Sequence, residues 1–376
     1  MSAQPSQFGL DVEAALMDLD AGWGMPTNWY HDAEVFRFEM DNIYGREWQY
    51  LAPSAKLAKP GDFVVGQAGE IPVFVTKDQS GKLHGFVNMC RHRGHPVARE
   101  DGNGRALVCA YHGWTYNLDG SLKRAPQCDA EPAFEHAELS LLPISVDSWG
   151  PAVFVNPDAT AVSLRQAHPN FERTWRSQEL VSSLDAYEFR RRIEYDASAN
   201  WKLWYDNNVE CYHCSRIHGG SFAAAYDVDP KKIDNYELDR MLTNKFLATE
   251  SSEGDELRSS NYRSMQLFPG ITIIQQDDLM VLSQMIPLGP ERTISVMDYF
   301  AQRGGDEQRF ERWVELWDQT FQEDLTAAAN QQRGMRTGML KQSRFVTTQE
   351  RPLIFINRTI LQAYQRGIAQ TPDAMC

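Results

Sequence analysis

Cys90-Arg91-His92-Arg93-Gly94 and, with sixteen residues between His92 and it, Cys109-Ala110-Tyr111-His112-Gly113-Trp114-Thr115-Tyr116 decide how this chain is read. Each stretch pairs one thiol with one imidazole, as Cys90-x-His92 and Cys109-x-x-His112. Zinc fingers usually group two Cys and then two His. A two-iron cluster whose first iron takes two thiolates and whose second takes two imidazoles needs the other arrangement, one ligand of each kind per loop. Imidazoles raise the reduction potential of such a centre and leave a protonatable nitrogen facing outward. Cys90, His92, Cys109 and His112 are therefore candidate ligands of a [2Fe-2S] cluster. The alternative is a zinc knuckle or two unrelated Cys/His pairs.

Outward from these loops the texture is β-type. Ile71–Thr76, Leu83–Asn88, Trp114–Asn117 and Ala152–Val155 are short apolar runs, and Asp78-Gln79-Ser80-Gly81 and Asn117-Leu118-Asp119-Gly120 are turn sequences. A small β-sandwich over 45–157, with the ligand loops at one tip, is expected. Residues 11–49 read as helical, so 1–44 is expected to form a helical segment packing on the domain that follows the sandwich, 158–376. In that third region, strands at 189–195, 271–274, 280–285 and 293–297 and helices at about 200–217 and 306–334 suggest an α+β domain on an antiparallel sheet.

The helical stretch carries a second set of candidates. Asp206, Asn207, Glu210 and His213 recur at helical spacing, a polar stripe that is hard to justify in an interior unless it serves a metal or a network. His213 and His218 are five apart, about 140° around a helix, so both reach one metal only if the helix breaks, and Gly219-Gly220 follows. A facial triad also needs a carboxylate. On the late helix Asp324 falls in the apolar stripe of Phe310, Trp313, Val314, Trp317, Phe321 and Ala328, whereas Glu323 is expected on the polar face. Taken singly, two such His could be ordinary residues and Asp324 could cap a helix or pair with an Arg.

The chain has 376 residues, 42% of them hydrophobic, and a formal net charge of −14. That charge argues against a nucleic-acid partner, while it would suit a basic redox partner or a cationic substrate as readily as plain solubility. No apolar run has the length of a membrane span, and Met1–Ser6 shows neither basic nor apolar character of a secretory signal. A cytoplasmic protein is expected, with Cys128, Cys211, Cys214 and Cys376 as thiols. No Gly-x-Gly-x-x-Gly turn is present to hold a flavin or nicotinamide, so electrons are expected from a separate protein.

With both ligand sets in view, the chain resembles the Rieske non-haem iron oxygenases, specifically their α (catalytic) subunits. Cys90–Tyr116 carries the first part of the likeness; Glu210, His213, His218, Glu323-Asp324 and Gln332-Arg333-Gly334 carry the second. The resemblance implies an α+β protein with a β-sandwich Rieske [2Fe-2S] domain and a helix-covered antiparallel-sheet catalytic domain of the helix-grip (StAR-like) kind. It implies mononuclear Fe(II) on His213, His218 and Asp324, and a homotrimer in which Glu210 links the Rieske centre of one subunit to the iron of the next. It implies a separate NAD(P)H-dependent reductase of flavin or ferredoxin type, with O2 and a small organic molecule as substrates. Most ring-hydroxylating members carry Asp at the position of Glu210. Glu within Glu210-Cys211-Tyr212-His213-Cys214 resembles the branch acting on carnitine, glycine betaine and related quaternary amines. A quaternary-ammonium monooxygenase, N-demethylating or cleaving C–N, is therefore the leading expectation; an aromatic-ring hydroxylase is the alternative, and a Rieske electron carrier a more remote one. Iron analysis separates carrier from oxygenase: about three iron atoms per chain for the oxygenase, about two for the carrier.

Overall fold

A computed structural model describes residues 10–128, 131–171, 174, 184–238, 240–248 and 260–370, so Cys376 lies outside the described residues. Its contacts divide the chain into two units, Tyr44–Ala167 and a second made of the chain up to Ile43 together with the chain from His168.

In the first unit, seven antiparallel strands run in the order Gln49–Pro53, Ala152–Asn156, Pro143–Trp149, Leu83–Val87, Ile71–Lys77, Asp62–Ala68 and Gly102–Asn103. Strand alternation sorts the side chains into two cores. Val73 and Val75 join Val64, Ile144 and Val153 in one, while Phe74 between them joins Phe86, Trp114 and Tyr116 in the other, directly with Cys90 and Cys109. A three-stranded sheet, Leu107–Val108, Thr115–Tyr116 and Leu122–Arg124, closes that second core. Its last turn needs glycine: Gly120 has φ +84°, and a Cβ there would meet the Phe86 ring at 2.3 Å. The unit extends past the change of texture after Asn156. Ser145 Oγ donates to the Asp158 carbonyl (2.8 Å), Trp48 Nε1 to the Val162 carbonyl (3.0 Å) and the Leu164 N–H to Asp147 (3.0 Å), tying this connecting segment to the strands.

The second unit is built on another seven-stranded antiparallel sheet, ordered Tyr187–Ala197, Arg292–Gln302, Leu279–Gly289, Ile271–Gln276, Tyr262–Leu267, Met241–Phe246 and Asp234–Leu238. Helices Trp201–Val209, Glu307–Arg336 and Arg351–Gln370 pack on it and on one another. Asn200 caps the first helix by accepting from the Lys202 N–H (2.9 Å), and Asp306 caps the long one by accepting from Gln308 and Arg309. The buried face of the long helix runs through Phe310, Trp313, Val314, Trp317, Phe321, Asp324 and Ala328.

Two helical expectations are corrected. Residues 11–49 are not helical throughout: helices Val12–Asp20 and Ala33–Glu39 are separated by strand Trp23–Pro26, which pairs with Gln342–Arg344 far along the chain. The helix expected over 200–217 ends at Val209, because Glu210 is extended (φ −115°, ψ 169°), and a short helix Cys214–Ile217 follows. No helix among the described residues is long and apolar enough to cross a membrane.

Charge is buried where the helices of this unit meet. Lys202 and Glu39 are both fully buried and paired. Glu39 also accepts from Trp201 Nε1 (2.7 Å) and from the Tyr364 hydroxyl, while Lys202 Nζ lies 5.3 Å from the centre of the Tyr30 ring. Burial pulls the Lys202 ammonium below its ordinary range, and Glu39 opposes that shift. Glu39→Ala should destabilise this unit by about 3–5 kcal/mol, because it leaves Lys202 buried without its counter-charge. Glu39→Gln combined with Lys202→Met should recover most of the loss, read by denaturant unfolding of the three proteins.

Candidate active site

The two Cys/His loops of the sandwich unit are built alike. The Cys90 N–H donates to the His95 carbonyl and the Cys109 N–H to the Trp114 carbonyl, both at 2.8 Å; the Gly94 and Gly113 N–H groups return to the Cys90 and Cys109 carbonyls at 2.9 and 3.0 Å. Each loop closes through glycine in the left-handed region, φ +76° at Gly94 and +74° at Gly113. The result places two buried thiols inside and two exposed imidazoles outside. His92 Nδ1 and His112 Nδ1 point at each other across 3.2 Å, and Trp114 stacks on the His92 ring with centroids 4.9 Å apart. The Tyr116 hydroxyl sits 3.3 Å from Cys90 Sγ and accepts from the Arg91 N–H (3.1 Å). Burial, joined by the neighbouring Cys90 thiol, pushes the Cys109 thiol up, and burial beside His112 and Arg93 pulls the His92 imidazole down. Two buried thiols and two exposed imidazoles, one of each from either loop, are the donor set that a cluster with two sulfur and two nitrogen ligands requires.

In the other unit, three side chains converge. Asp324 Oδ1 lies 3.1 Å from His218 Nε2 and 3.6 Å from His213 Nε2. The outward nitrogen of each ring is held by a carboxylate: His213 Nδ1 by Glu210, and His218 Nδ1 by Glu323 Oε2 at 2.7 Å. Asn207 Nδ2 donates to Asp324 at 3.2 Å. Burial disfavours charge on His218, but Asp324 and Glu323 outweigh it and raise its pKa. Two imidazoles and a carboxylate facing inward, with both outward nitrogens oriented, could hold a divalent metal with positions left open. The Cys214 sulfur also lies within 4.8 Å of the two histidine donors, but it is bridged to Cys211 and is not available as a ligand.

The structure thus brings His213, His218 and Asp324 together with Glu210, and Cys90 and Cys109 with His92 and His112. Two details differ from expectation. Glu323 is not turned wholly to solvent; half-buried, it accepts from His218 and from Ser221 Oγ (2.5 Å), because consecutive helix positions diverge by only about 100° and the Gly219–Ser221 turn lies alongside. Cys211 and Cys214 are not free thiols. The chain turn after Val209 sets their Cα atoms 4.9 Å apart, within disulfide range. The second Glu210 oxygen is likewise engaged, by the Tyr212 N–H, although a carboxylate oxygen retains further lone pairs.

A cavity opens beside this centre, lined by Asp324 and both imidazoles and walled by Phe222, Phe246, Tyr262 and Trp317. Of the aromatic residues near the histidines in sequence, Phe222 alone among Trp204, Tyr205, Phe222 and Tyr226 lines it. Phe246 and Tyr262 went unnoticed because they come from strands that give no local sign of facing a site.

Residues 184–366 match the family model described as the ring hydroxylating alpha subunit (catalytic domain), and residues 47–143 match the Rieske [2Fe-2S] domain. The chain is 27% identical over 335 residues to the chloroplastic choline monooxygenase of Amaranthus tricolor, spanning 86% of this chain and 74% of that one. It is 27% identical over 353 residues to the carnitine monooxygenase oxygenase subunit of Acinetobacter pittii, spanning 88% and 91%. A solved structure of a quaternary ammonium Rieske monooxygenase superposes with a TM-score of 0.85 at 25% identity, over 94% of this chain and 98% of that one. Naphthalene 1,2-dioxygenase from Rhodococcus sp. shares the fold, with a TM-score of 0.78 at 19% identity over 96% of this chain and 98% of that one.

Asp324→Ala should abolish ferrous-ion retention at this centre while the visible spectrum of the sandwich unit persists. Glu323→Ala should weaken ferrous-ion binding about 10–100-fold, the size expected when the partner of a ligand's outward nitrogen is lost. Metal analysis after dialysis, beside the visible spectrum, reads both.

Proposed function

The chain belongs to the Rieske non-haem iron oxygenases, and from that premise we propose that it is a terminal oxygenase for a quaternary ammonium compound, acting by monooxygenation with N-demethylation or C–N cleavage. Cys90, His92, Cys109 and His112 would hold the [2Fe-2S] cluster, and His213, His218 and Asp324 the mononuclear Fe(II). Bound there, the cluster supplies electrons one at a time and the ferrous ion supplies O2 activation. The observation that carries the substrate assignment is the aromatic wall of Phe222, Phe246, Tyr262 and Trp317 beside the triad. Ring faces attract a cation that cannot donate a hydrogen bond. The names of the choline and carnitine relatives support the same class.

Glu210 would act as a positioning residue. By accepting from His213 Nδ1 it keeps the other ring nitrogen turned toward Asp324. Its remaining lone pairs are proposed to meet a cluster histidine of a neighbouring chain, which requires a ring of subunits, most simply a homotrimer. Inter-subunit electron transfer described for a quaternary ammonium Rieske monooxygenase of this fold supports that arrangement. Electrons would come from a separate NAD(P)H-dependent reductase of flavin or ferredoxin type, in the cytoplasm.

With a surrogate reductase, trimethylammonium compounds should stimulate O2 uptake and release formaldehyde or a cleaved amine, whereas naphthalene-like and benzoate-like compounds should do neither. The reverse pattern would move the chain to the ring hydroxylases. Glu210→Gln should retain both metal centres yet slow reoxidation of the reduced cluster by at least about tenfold, the lower range for losing a ligand's supporting hydrogen bond. Stopped-flow absorbance measures this directly, and loss of the mononuclear iron in that variant would defeat the assignment.

A further inference from the structure

The sheet of the second unit presents alternate residues of three strands to the cavity beside His213, His218 and Asp324. Phe246 pairs with Tyr262 at one end, Asn244 with Ser264 in the middle, and Gln266 with Thr272 at the other end. The wall therefore grades from aromatic to neutral polar along the strands. At the aromatic end, Phe222 packs 5.4 Å from Phe246, 5.5 Å from Tyr262 and 6.3 Å from His218, between ring centres. At the polar end, Ser264 Oγ donates to Asn244 Oδ1 (3.0 Å) and Thr272 Oγ1 donates to Gln266 Oε1 (2.5 Å).

Gln266 is 1% exposed and its oxygen is taken by Thr272, which leaves its NH2 group as the donor that this end of the wall can offer a ligand. Trp317 is 4% exposed and its indole N–H has no partner. No Lys or Arg is among the described residues lining the cavity, and its carboxylates are Glu210 and Asp324.

We propose that this pocket selects, among trimethylammonium compounds, those whose far end is an uncharged oxygen (hydroxyl, ether or carbonyl) over those whose far end is a carboxylate. The inference rests on the quaternary-ammonium reading above and adds the chemistry of the other end of the substrate. A carboxylate in this cavity sheds its water without meeting a side-chain cation among the described lining residues, and shares the space with Glu210. A neutral oxygen loses less water and can accept from the Gln266 NH2 group at the polar end of the wall.

The test is equilibrium binding, by calorimetry under anaerobic conditions, of the iron-loaded holoenzyme to three compounds of similar length: γ-butyrobetaine, its methyl ester and n-butyltrimethylammonium. The ester should bind about tenfold or more tightly than the carboxylate, the scale of an uncompensated buried charge after partial hydration, and more tightly than the alkyl compound. Gln266→Leu should narrow the gap between the ester and the alkyl compound, and Gln266→Arg should shift the preference toward γ-butyrobetaine. Equal or tighter binding of the carboxylate by the unsubstituted enzyme would overturn the inference and leave the quaternary-ammonium reading standing. Failure of all three compounds to bind a holoenzyme with both metal centres intact would overturn that reading, and this inference with it.

Discussion

A carboxylate on the buried face of a 30-residue helix must be met by positive charge, and the arrangement around Asp324 follows from that requirement. Two imidazoles turn their Nε2 atoms toward it, and Glu210 and Glu323 hold the opposite nitrogens. Four acidic or basic side chains from two separate stretches, residues 210–218 and the long helix, thereby surround Asp324. An inward carboxylate with this surrounding is costly for a protein without a metal, which is the physical reason the constellation is read as a metal centre and not as an ordinary ion pair.

The groups that orient the centre need a rigid support. The helix Trp201–Val209 precedes Glu210 and His213, and its first turn is anchored by the buried network of Glu39, Lys202, Trp201 and Tyr364. That network joins the helix ending at Glu39, the metal-side helix and the C-terminal helix in one unit. Where two buried charges compensate each other, the helices carrying them lose the freedom to slide, since any shift would leave one charge unpaired. The Cys/His loops are supported differently, by backbone bonds of matching pattern and by an aromatic core under the thiols. Apolar packing beneath buried thiols and open solvent beside the imidazoles suit a centre that must be insulated on one side and reachable on the other.

The cavity beside Asp324 shows a third constraint. Strand alternation puts Asn244, Phe246, Tyr262, Ser264, Gln266 and Thr272 on one face of the sheet, so the chemistry of the pocket is set by pairing register as much as by composition. A one-residue slip would remove the whole set from the cavity. Sheet and long helix consequently present the cavity wall and Asp324 from the same packing interface.

How much of this was legible in the sequence depended on the range of the interactions involved. The Cys90/His92 and Cys109/His112 spacing, the glycines that close the loops, the strand–turn texture of the sandwich and the apolar stripe that includes Asp324 are local or periodic signals, and a single helix wheel or loop contains them. The partner of Lys202, the role of Glu323 beside His218, the Cys211–Cys214 bridge, the pairing of Trp23–Pro26 with Gln342–Arg344 and the residues walling the cavity were decided by tertiary structure alone. Each joins groups whose proximity is set by chain reversal or by packing between distant segments. The residue types and their spacing determined which metals this chain is built to hold; only the folded packing determined which side chains surround them, because a carboxylate's direction on a helix and a strand's register depend on neighbours the local sequence does not contain.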